Sequence, residues 1–442
     1  MLPPGPTAAP AVQTLRWLLR PIAFLEDCRR RFGDAFSVTF LGFETPMVML
    51  SDPEAIRALY AERGHGLPPG RTLSLRPVLG ERSVLLLEGR EHLERRRVML
   101  PPFHGERMRA YEPIAREAAE RELARWPQGA PFPIHPSMQA ITLEVILRAV
   151  FGVEDPGRRD RLRGLLKGLL DQTSSARLQF AVLAARRLGL PDPLAKVEAR
   201  QRDLDDLLLS EIRDHRDDPD LGGRTDILSL LVQARFEDGA PMSDREVRDQ
   251  LVTLLLAGHE TTATGLAWTF DLLLRHPHVH DRLVAEARDG AGADVYARAV
   301  VSESLRLRPV VPLAGRRLAT PLNTGGLDLP AGTDVTPAIW LTHTNPAVYP
   351  EPYAFRPERW LDGGAPPTYA WVPFGGGVRR CLGAAFAELE MRVVLQTVLR
   401  HRTLRPAATR AEHVRRRNVT FSPAGGTRVI SAGASTSASP SA

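Results

Sequence analysis

Residues Phe374 to Gly383 read Phe-Gly-Gly-Gly-Val-Arg-Arg-Cys-Leu-Gly, and no other stretch of the chain restricts its fold and chemistry so tightly. Cys381 stands behind three glycines and beside two arginines, just ahead of an amphipathic run from Leu382 to Leu399 whose spacing predicts a helix. A helix N-terminus and nearby cations both favour negative charge, so a thiolate is expected here rather than a thiol. An isolated cysteine is more often a small buried hydrophobe, and it is these neighbours that argue otherwise. Gly375, Gly376 and Gly377 open backbone conformations closed to other residues and allow close approach to a ligand. Gly383, lacking a side chain, would let a flat cofactor lie against the helix start. No second Cys or His stands at zinc-finger spacing, which sets a structural zinc site aside. One thiolate with a planar cofactor points to haem-thiolate chemistry.

The decapeptide resembles the haem-binding signature of the cytochrome P-450 monooxygenases, Phe-x-x-Gly-x-Arg-x-Cys-x-Gly. Phe374, Gly377, Arg379, Cys381 and Gly383 fill every fixed position. The resemblance implies haem b with Cys381 as the axial thiolate on iron, and three further motifs follow in the family's order over most of the chain.

From Gln250 to Leu274 the chain is apolar and helix-like, interrupted by Ala257-Gly258-His259-Glu260-Thr261-Thr262. A buried helix rarely hosts an acid and two hydroxyls without partners, because each must offset its desolvation. The plain structural alternative has Thr261 bonding back to the Ala257 carbonyl while Glu260 reaches solvent. The stretch is similar to the family's oxygen-activation motif, which implies that Glu260 and Thr261 deliver protons for cleavage of O2. Such delivery is general-acid work, suited to a partly buried carboxyl relaying through water. His259 falls on the motif's variable position and is read as a wall residue.

Glu303 and Arg306 lie three apart on one face of a predicted helix, and a later stretch reads Phe355-Arg356-Pro357-Glu358-Arg359-Trp360. These look like the family's Glu-x-x-Arg and Pro-Glu-Arg motifs, which implies a buried ion triad of Glu303, Arg306 and Arg359 serving folding and haem retention. His92 and Arg96 lie four apart, so they share a helical face; a solvated basic helix remains the reading for Arg95 and Arg97. By resemblance to the family's third helix, His92 and Arg96 would bind a haem propionate, joined by Arg379 and by Arg316, with Arg317 close behind. Charge-assisted pairs to carboxylates suit arginine at these positions.

Hydrophobic residues at 43 % and charged residues at 25 % are ordinary for a soluble globular protein. No Gly/Ser linker or composition break divides the 442 residues, so a single domain over 1–430 is expected, with the Ser/Ala-rich tail of residues 431–442 disordered. Cys28 and Cys381 cannot form a disulfide framework, and both are expected reduced in the cytoplasm. The N-terminus lacks the apolar stretch of about 20 residues that a membrane span needs, and no signal-peptide pattern precedes it. The formal charge of +6 comes almost wholly from arginine, since Lys167 and Lys196 are the only lysines. These arginines are scattered through helical patterns with no compact reader motif, which sets nucleic acid aside. Arg379 and Arg380 would instead give the cysteine side a basic face for an acidic ferredoxin or flavodoxin working with an NAD(P)H reductase.

The fold class expected is mainly α with a small β lobe, the cytochrome P-450 fold, in which a helical prism encloses the haem. Short strands are expected near Ala35 to Leu50 and between Leu318 and Pro337, and the protein is expected to be a monomer. By analogy with the family, the substrate cavity takes in Leu67 to Leu87, Ser174 to Leu190, Val310 to Ala314 and Leu254 to Ala257. Leu256, Ala257, Val310, Val311 and Leu313 are its named wall residues. Walls of Leu, Val, Ala and Pro favour an apolar substrate held by shape, of the terpenoid, fatty acid, steroid or polyketide kind. Arg71, Arg76 or Arg177 are candidates for anchoring a carboxylate. The alternatives are a haem-thiolate isomerase or peroxygenase, or a noncatalytic haem sensor or carrier; the intact pair of Glu260 and Thr261 weighs against both.

Overall fold

The computed structural model describes residues 2–433 apart from positions 42, 44, 62–65, 68–75, 77, 106, 153–154, 174–194, 290–293, 362, 365 and 418, and describes no side chains at 156, 167, 169–173 and 195–200. Among the described residues the helices are α1 Pro10–Leu19, α2 Pro21–Phe32, α3 Pro53–Ala61, α4 Gly89–Met99, α5 Arg107–Leu123, α6 His135–Phe151, α7 Pro156–Thr173, α8 Ala195–Arg216, α9 Ile227–Gln233, α10 Asp244–Leu273, α11 Pro277–Asp289, α12 Val295–Leu307, α13 Ile339–His343 and α14 Ala384–His401. The strands are short: β1 Ala35–Val38, β2 Met47–Leu50, β3 Pro131–Pro133, β4 Arg316–Arg317, β5 Leu322–Thr324, β6 Leu327–Leu329, β7 Asp334–Pro337, β8 Arg402–Pro406, β9 Val414–Arg417, β10 Thr420–Pro423 and β11 Arg428–Gly433. The fold is therefore mainly α with a small strand content.

The chain divides into two compact units, one of residues 1–71, 115–141 and 260–442, the other of residues 72–114 and 142–259. Each is assembled from separate stretches, so no single cut in the sequence isolates either.

Among the described residues all the strands belong to the first unit. Its largest sheet has the order β1-β2-β7-β4, with β2 antiparallel to β1 and parallel to β7. Met47-Val48-Met49-Leu50 is apolar at every position because β2 is covered on both faces. Successive side chains point to opposite sides, so Val48 and Leu50 join Ile56, Leu59, Tyr60 and Val335. Met47 and Met49 pack instead with Trp17, Phe24, Phe36 and Phe40. A second sheet, β3-β11-β8, was not legible in the sequence.

That sheet corrects the expected tail. Ser431–Gly433 complete β11 rather than starting a disordered segment: Ser431 pairs with Leu404, and its carbonyl accepts from the Gly129 N–H at 2.8 Å. Backbone pairing, blind to the small polar side chains, holds the strand. Residues 434–442 lie outside the described residues.

In the second unit, α10 starts with a reciprocal cap. The Glu246 carboxylate accepts from the Ser243 N–H and hydroxyl, both at 2.9 Å, while the Glu246 N–H donates to Ser243 Oγ at 3.3 Å. The polar residues of its first turns anchor the segment ahead of α4. Gln250 Oε1 accepts from the Val84 N–H at 2.9 Å, its Nε2 donates to the Arg82 carbonyl at 2.6 Å, and Thr253 bonds Ser83 at 2.7 Å. At Gly258 a Cβ would stand 3.0 Å from Ile146 Cδ1, so the glycine lets α6 pack close to α10. α10 is helical throughout, without a break at Ala257–Thr262.

Candidate functional site

The cysteine loop closes on itself. The Cys381 N–H donates to the Phe374 carbonyl at 2.9 Å, the Arg380 N–H to the Gly377 carbonyl at 3.1 Å, and the Gly375 N–H to the Val372 carbonyl at 3.0 Å. Gly375 and Gly377 have φ of 68° and 63°, a region that L side chains avoid. Gly376 meets a different constraint, because a Cβ there would clash with the Tyr60 ring, 2.4 Å from Cδ2. Gly383 caps α14, and a Cβ there would meet nothing within 4 Å. Cys381 is exposed two residues before that cap, whereas Cys28 is buried in the aromatic core. Burial, helped by the Asp27 charge, pushes the Cys28 thiol up to about 11, so it stays protonated. The two cysteines thus sit in different environments.

Behind the loop lies a carboxylate network. Glu303 and Arg306 are both 0 % exposed. The carboxylate accepts from Arg306 Nε and Nη2 at 2.8 Å each, from Arg359 Nε at 3.0 Å, from the Arg356 N–H at 2.9 Å and from Trp360 Nε1 at 2.9 Å. Arg306 also donates to the carbonyls of His343, Pro352 and Ala354. An aromatic relay then leads to the cysteine loop: Trp360 meets Trp371 at 5.3 Å between ring centroids, and Trp371 meets Phe374 at 6.1 Å. His343 makes a second link, donating from Nδ1 to the Arg306 carbonyl at 3.1 Å and accepting the Val372 N–H at Nε2 at 2.8 Å. Burial first and the Arg306 cation second hold its imidazole down at about 3, so it is neutral. Neither link was legible in the sequence, since Trp360, Trp371 and His343 carry no motif of their own.

Glu260 does not reach freely into solvent. Gln139 Nε2 donates to Oε2 at 2.5 Å, Arg417 Nη1 stands 3.3 Å from Oε1, and His135 Nε2 stands 3.8 Å from the same oxygen. His135 Nε2 also lies 3.2 Å from Thr264 Oγ1, one turn further along α10. Thr261 is half-buried beside Glu260 and Thr262 is buried. Gln139 and His135 come from the first turns of α6 and Arg417 from β9, so two distant stretches converge on one carboxylate. His259 is buried, and its carbonyl accepts from Thr142 Oγ1 at 3.1 Å.

The basic residues separate by role. Arg317 grips Asp334 with two bonds, Nε to Oδ1 at 2.8 Å and Nη2 to Oδ2 at 2.9 Å. Arg316 is buried, bonds the Gly315 carbonyl at 2.9 Å and places its guanidinium 5.7 Å from the Tyr60 ring. Arg379 is half-buried and Arg380 exposed. In the second unit, His92 is buried and Arg96 half-buried on α4. Arg95 departs from the expected solvated face: it is buried, pairs with Glu246 at 2.5 Å and lies 4.7 Å from the Phe236 ring. Arg97 is exposed and pairs with Glu237.

Of the expected cavity walls, Leu256 is half-buried and Ala257 exposed in the second unit. In the first unit Val310 is buried and Val311 half-buried, while Leu313 packs partly against the aromatic core. Ser174 to Leu190, most of Leu67 to Leu75, Arg71 and Arg177 lie outside the described residues. Arg76 is exposed, 4.0 Å from Glu81.

These residues fit a haem. An exposed cysteine precedes a helix start whose cap glycine carries no obstruction. The Tyr60 ring lies against the loop with the buried Arg316 guanidinium 5.7 Å from it, and the Tyr60 hydroxyl is buried without a partner among the described residues. No group of three or more His, Cys, Asp or Glu side chains among the described residues offers an alternative metal cage. No helix among them is long and apolar enough to cross a membrane.

A profile of the family described as Cytochrome P450 matches residues 3–424. A Mycobacterium tuberculosis protein named cytochrome P450 135B1 is 43 % identical over 436 residues, covering 97 % of this chain and 91 % of its own. Another from that organism, named cytochrome P450 138, is 38 % identical over 97 % of this chain and 96 % of its own. The retinoic acid-bound structure of cyanobacterial CYP120A1 superposes with a TM-score of 0.81 at 26 % identity, covering 98 % of this chain and 99 % of that one. The heme domain of cytochrome P450DA gives 0.84 at 24 % identity, which speaks for the fold alone. With the glycine-built cysteine loop and a match that runs nearly end to end, the chain belongs to the cytochrome P450 family of monooxygenases, which carry haem b on a cysteine thiolate and work with O2 and a redox partner.

Proposed function

We propose that this monooxygenase inserts one oxygen atom from O2 into an apolar small molecule, by hydroxylation or epoxidation, with electrons from a separate acidic ferredoxin or flavodoxin and its NAD(P)H reductase. Bound haem supplies oxygen activation at iron. The chain's own residues supply the ligand, the anchoring and the protons. Cys381 would supply the thiolate that holds the iron, with Phe374 and Gly383 bounding its loop. His92 and Arg96 on one helical face, and separately Arg316 and Arg379, hold the carboxylate arms of the haem. Arg316 is preferred over Arg317 because Arg317 spends its fork on Asp334.

The observation that carries the reading is the held carboxylate of Glu260. A general acid needs a fixed position and access to a proton. Gln139 and Arg417 fix Oε2 and Oε1, and Thr261 follows on the same helical turn. A carboxyl kept by chance on an apolar helix would have little use for three partners. The wall residues Leu256, Ala257, Val310, Val311 and Leu313 favour an apolar substrate, as does the retinoic acid held by one solved relative. Arg76 turns to Glu81 and is not assigned to a substrate carboxylate. Neither Cys28 nor Cys381 is in a disulfide, which suits a reducing cytoplasm.

The experiment is product formed per NADPH oxidised, with peroxide release, in Thr261→Ala and Glu260→Gln. Thr261→Ala should bind haem and substrate and consume NADPH while releasing mostly hydrogen peroxide. Wild-type coupling in both variants would overturn the proton-delivery assignment.

A further inference from the structure

Tyr60, at the end of α3, is 4 % exposed, and its hydroxyl has no hydrogen-bond partner among the described residues. Other buried tyrosines find one: Tyr349 donates to the Ala370 carbonyl at 2.9 Å and Tyr296 to Glu358 at 2.8 Å. A dry, unpaired hydroxyl is unfavourable, and phenylalanine would supply the same ring without it. The group therefore answers to something the described residues do not provide.

Its position says what. The three loop glycines step along Tyr60 from backbone to hydroxyl. A Cβ on Gly377 would stand 2.5 Å from the Tyr60 carbonyl oxygen, one on Gly376 would stand 2.4 Å from the ring's Cδ2, and one on Gly375 would stand 3.9 Å from the hydroxyl. The same loop carries Cys381, closed by its N–H on the Phe374 carbonyl. On another side lies Arg316, 5 % exposed, with its guanidinium 5.7 Å from the ring. A buried cation and a buried O–H donor beside one another make a site for an anion with oxygen acceptors. Burial pushes the phenol up to about 12 against the pull of Arg316, so it remains a donor across the physiological range.

We propose that the Tyr60 hydroxyl donates a hydrogen bond to a carboxylate arm of the haem, which makes Tyr60 a cofactor-anchoring residue alongside Arg316. The proposal rests on the assignment of Cys381 and Arg316 to the haem site. It also accounts for tyrosine at a ring-packing position where phenylalanine would fill the same space.

The test is haem transfer from the holoprotein to an excess of apomyoglobin, with resonance Raman spectra of the propionate-bending bands. Tyr60→Phe keeps the ring against Gly376 and should lose haem about tenfold faster or more, the effect of removing a hydrogen bond to a charged acceptor. Its propionate-bending bands should shift while the thiolate spectrum stays intact. Haem loss at the wild-type rate with unshifted bands would overturn the proposal and give the hydroxyl to water. Cys381→Ser and Arg316→Leu run in parallel. If they lose the thiolate spectrum and haem affinity respectively, a silent Tyr60→Phe refutes the tyrosine assignment alone. If Cys381→Ser keeps the thiolate spectrum, the underlying haem assignment fails with it.

Discussion

Arg417 of β9 stands 3.3 Å from the Glu260 carboxylate of α10, so a strand late in the sequence sets a cation beside the acid of the central helix. A cation this close favours the ionised carboxyl. Replacing Arg417 with Met takes the cation from the carboxylate and should slow coupled product formation by about tenfold, the effect of losing one interaction with a charged group. Glu260→Gln should cost about 10²-fold. Coupled turnover at the wild-type rate in Arg417→Met would remove that role.

The Glu303 network predicts a stability effect larger than any surface ion pair could give. Glu303→Gln leaves the buried Arg306 and the half-buried Arg359 short of a counter-charge, a loss of about 3–5 kcal/mol, read from denaturant unfolding and accompanied by lower haem content. Trp360→Phe removes one bond to the carboxylate and preserves the ring contact to Trp371, so it should cost about 1–2 kcal/mol. Equal losses in the two variants would contradict the network.

His343 predicts acid sensitivity. Its folded pKa of about 3 lies below the ordinary 6.5, so below pH 6.5 the unfolded chain binds a proton that the folded chain refuses. The contribution to stability is complete above 6.5 and declines as pH falls toward 3, by at most about 1.4 kcal/mol per pH unit. His343→Gln has no imidazole to protonate, so its stability should fall less steeply with acid than that of the wild type. Parallel slopes would show that the imidazole is not the group being titrated.

Electron delivery should depend on salt. Arg380 is exposed, and it and Arg298 both draw on the carboxyl of Glu388 on α14. Stopped-flow reduction by a limiting acidic ferredoxin should slow as ionic strength passes about 0.1 M, where the screening length is about 10 Å. Arg380→Ala should slow it further at low salt. A rate indifferent to salt would argue against a basic docking face.

The cysteine loop was legible because its chemistry is local: glycines, arginines and thiol act within one decapeptide. The pairing of Glu303 with Arg306 was legible for the same reason, being one helical turn. Tyr60 was not, because its meaning comes from Gly376, far along the chain, and an isolated tyrosine on a helix carries no signal. Arg417 lay hidden in a basic triplet that reads as solvated strand, and Gln139 and His135 in an unremarked helix start. Arg95 was read as solvent-facing because a helix so rich in charge shows no apolar side; its burial depends on Glu246 and Phe236, which sequence spacing does not bring together. Ser431 misled for the opposite reason, since composition argued for disorder while backbone pairing to β8 decided the structure.

The central claim, that Cys381 and no other group holds the haem iron, is tested most directly by the absorption of the reduced carbon monoxide complex in two single variants. Cys28→Ser should keep the thiolate-type band of the wild type, because Cys28 is buried in the aromatic core with its thiol protonated. Cys381→Ser should abolish it while the protein remains folded. A Cys381→Ser protein that keeps the band, or a Cys28→Ser protein that loses it, would contradict the account.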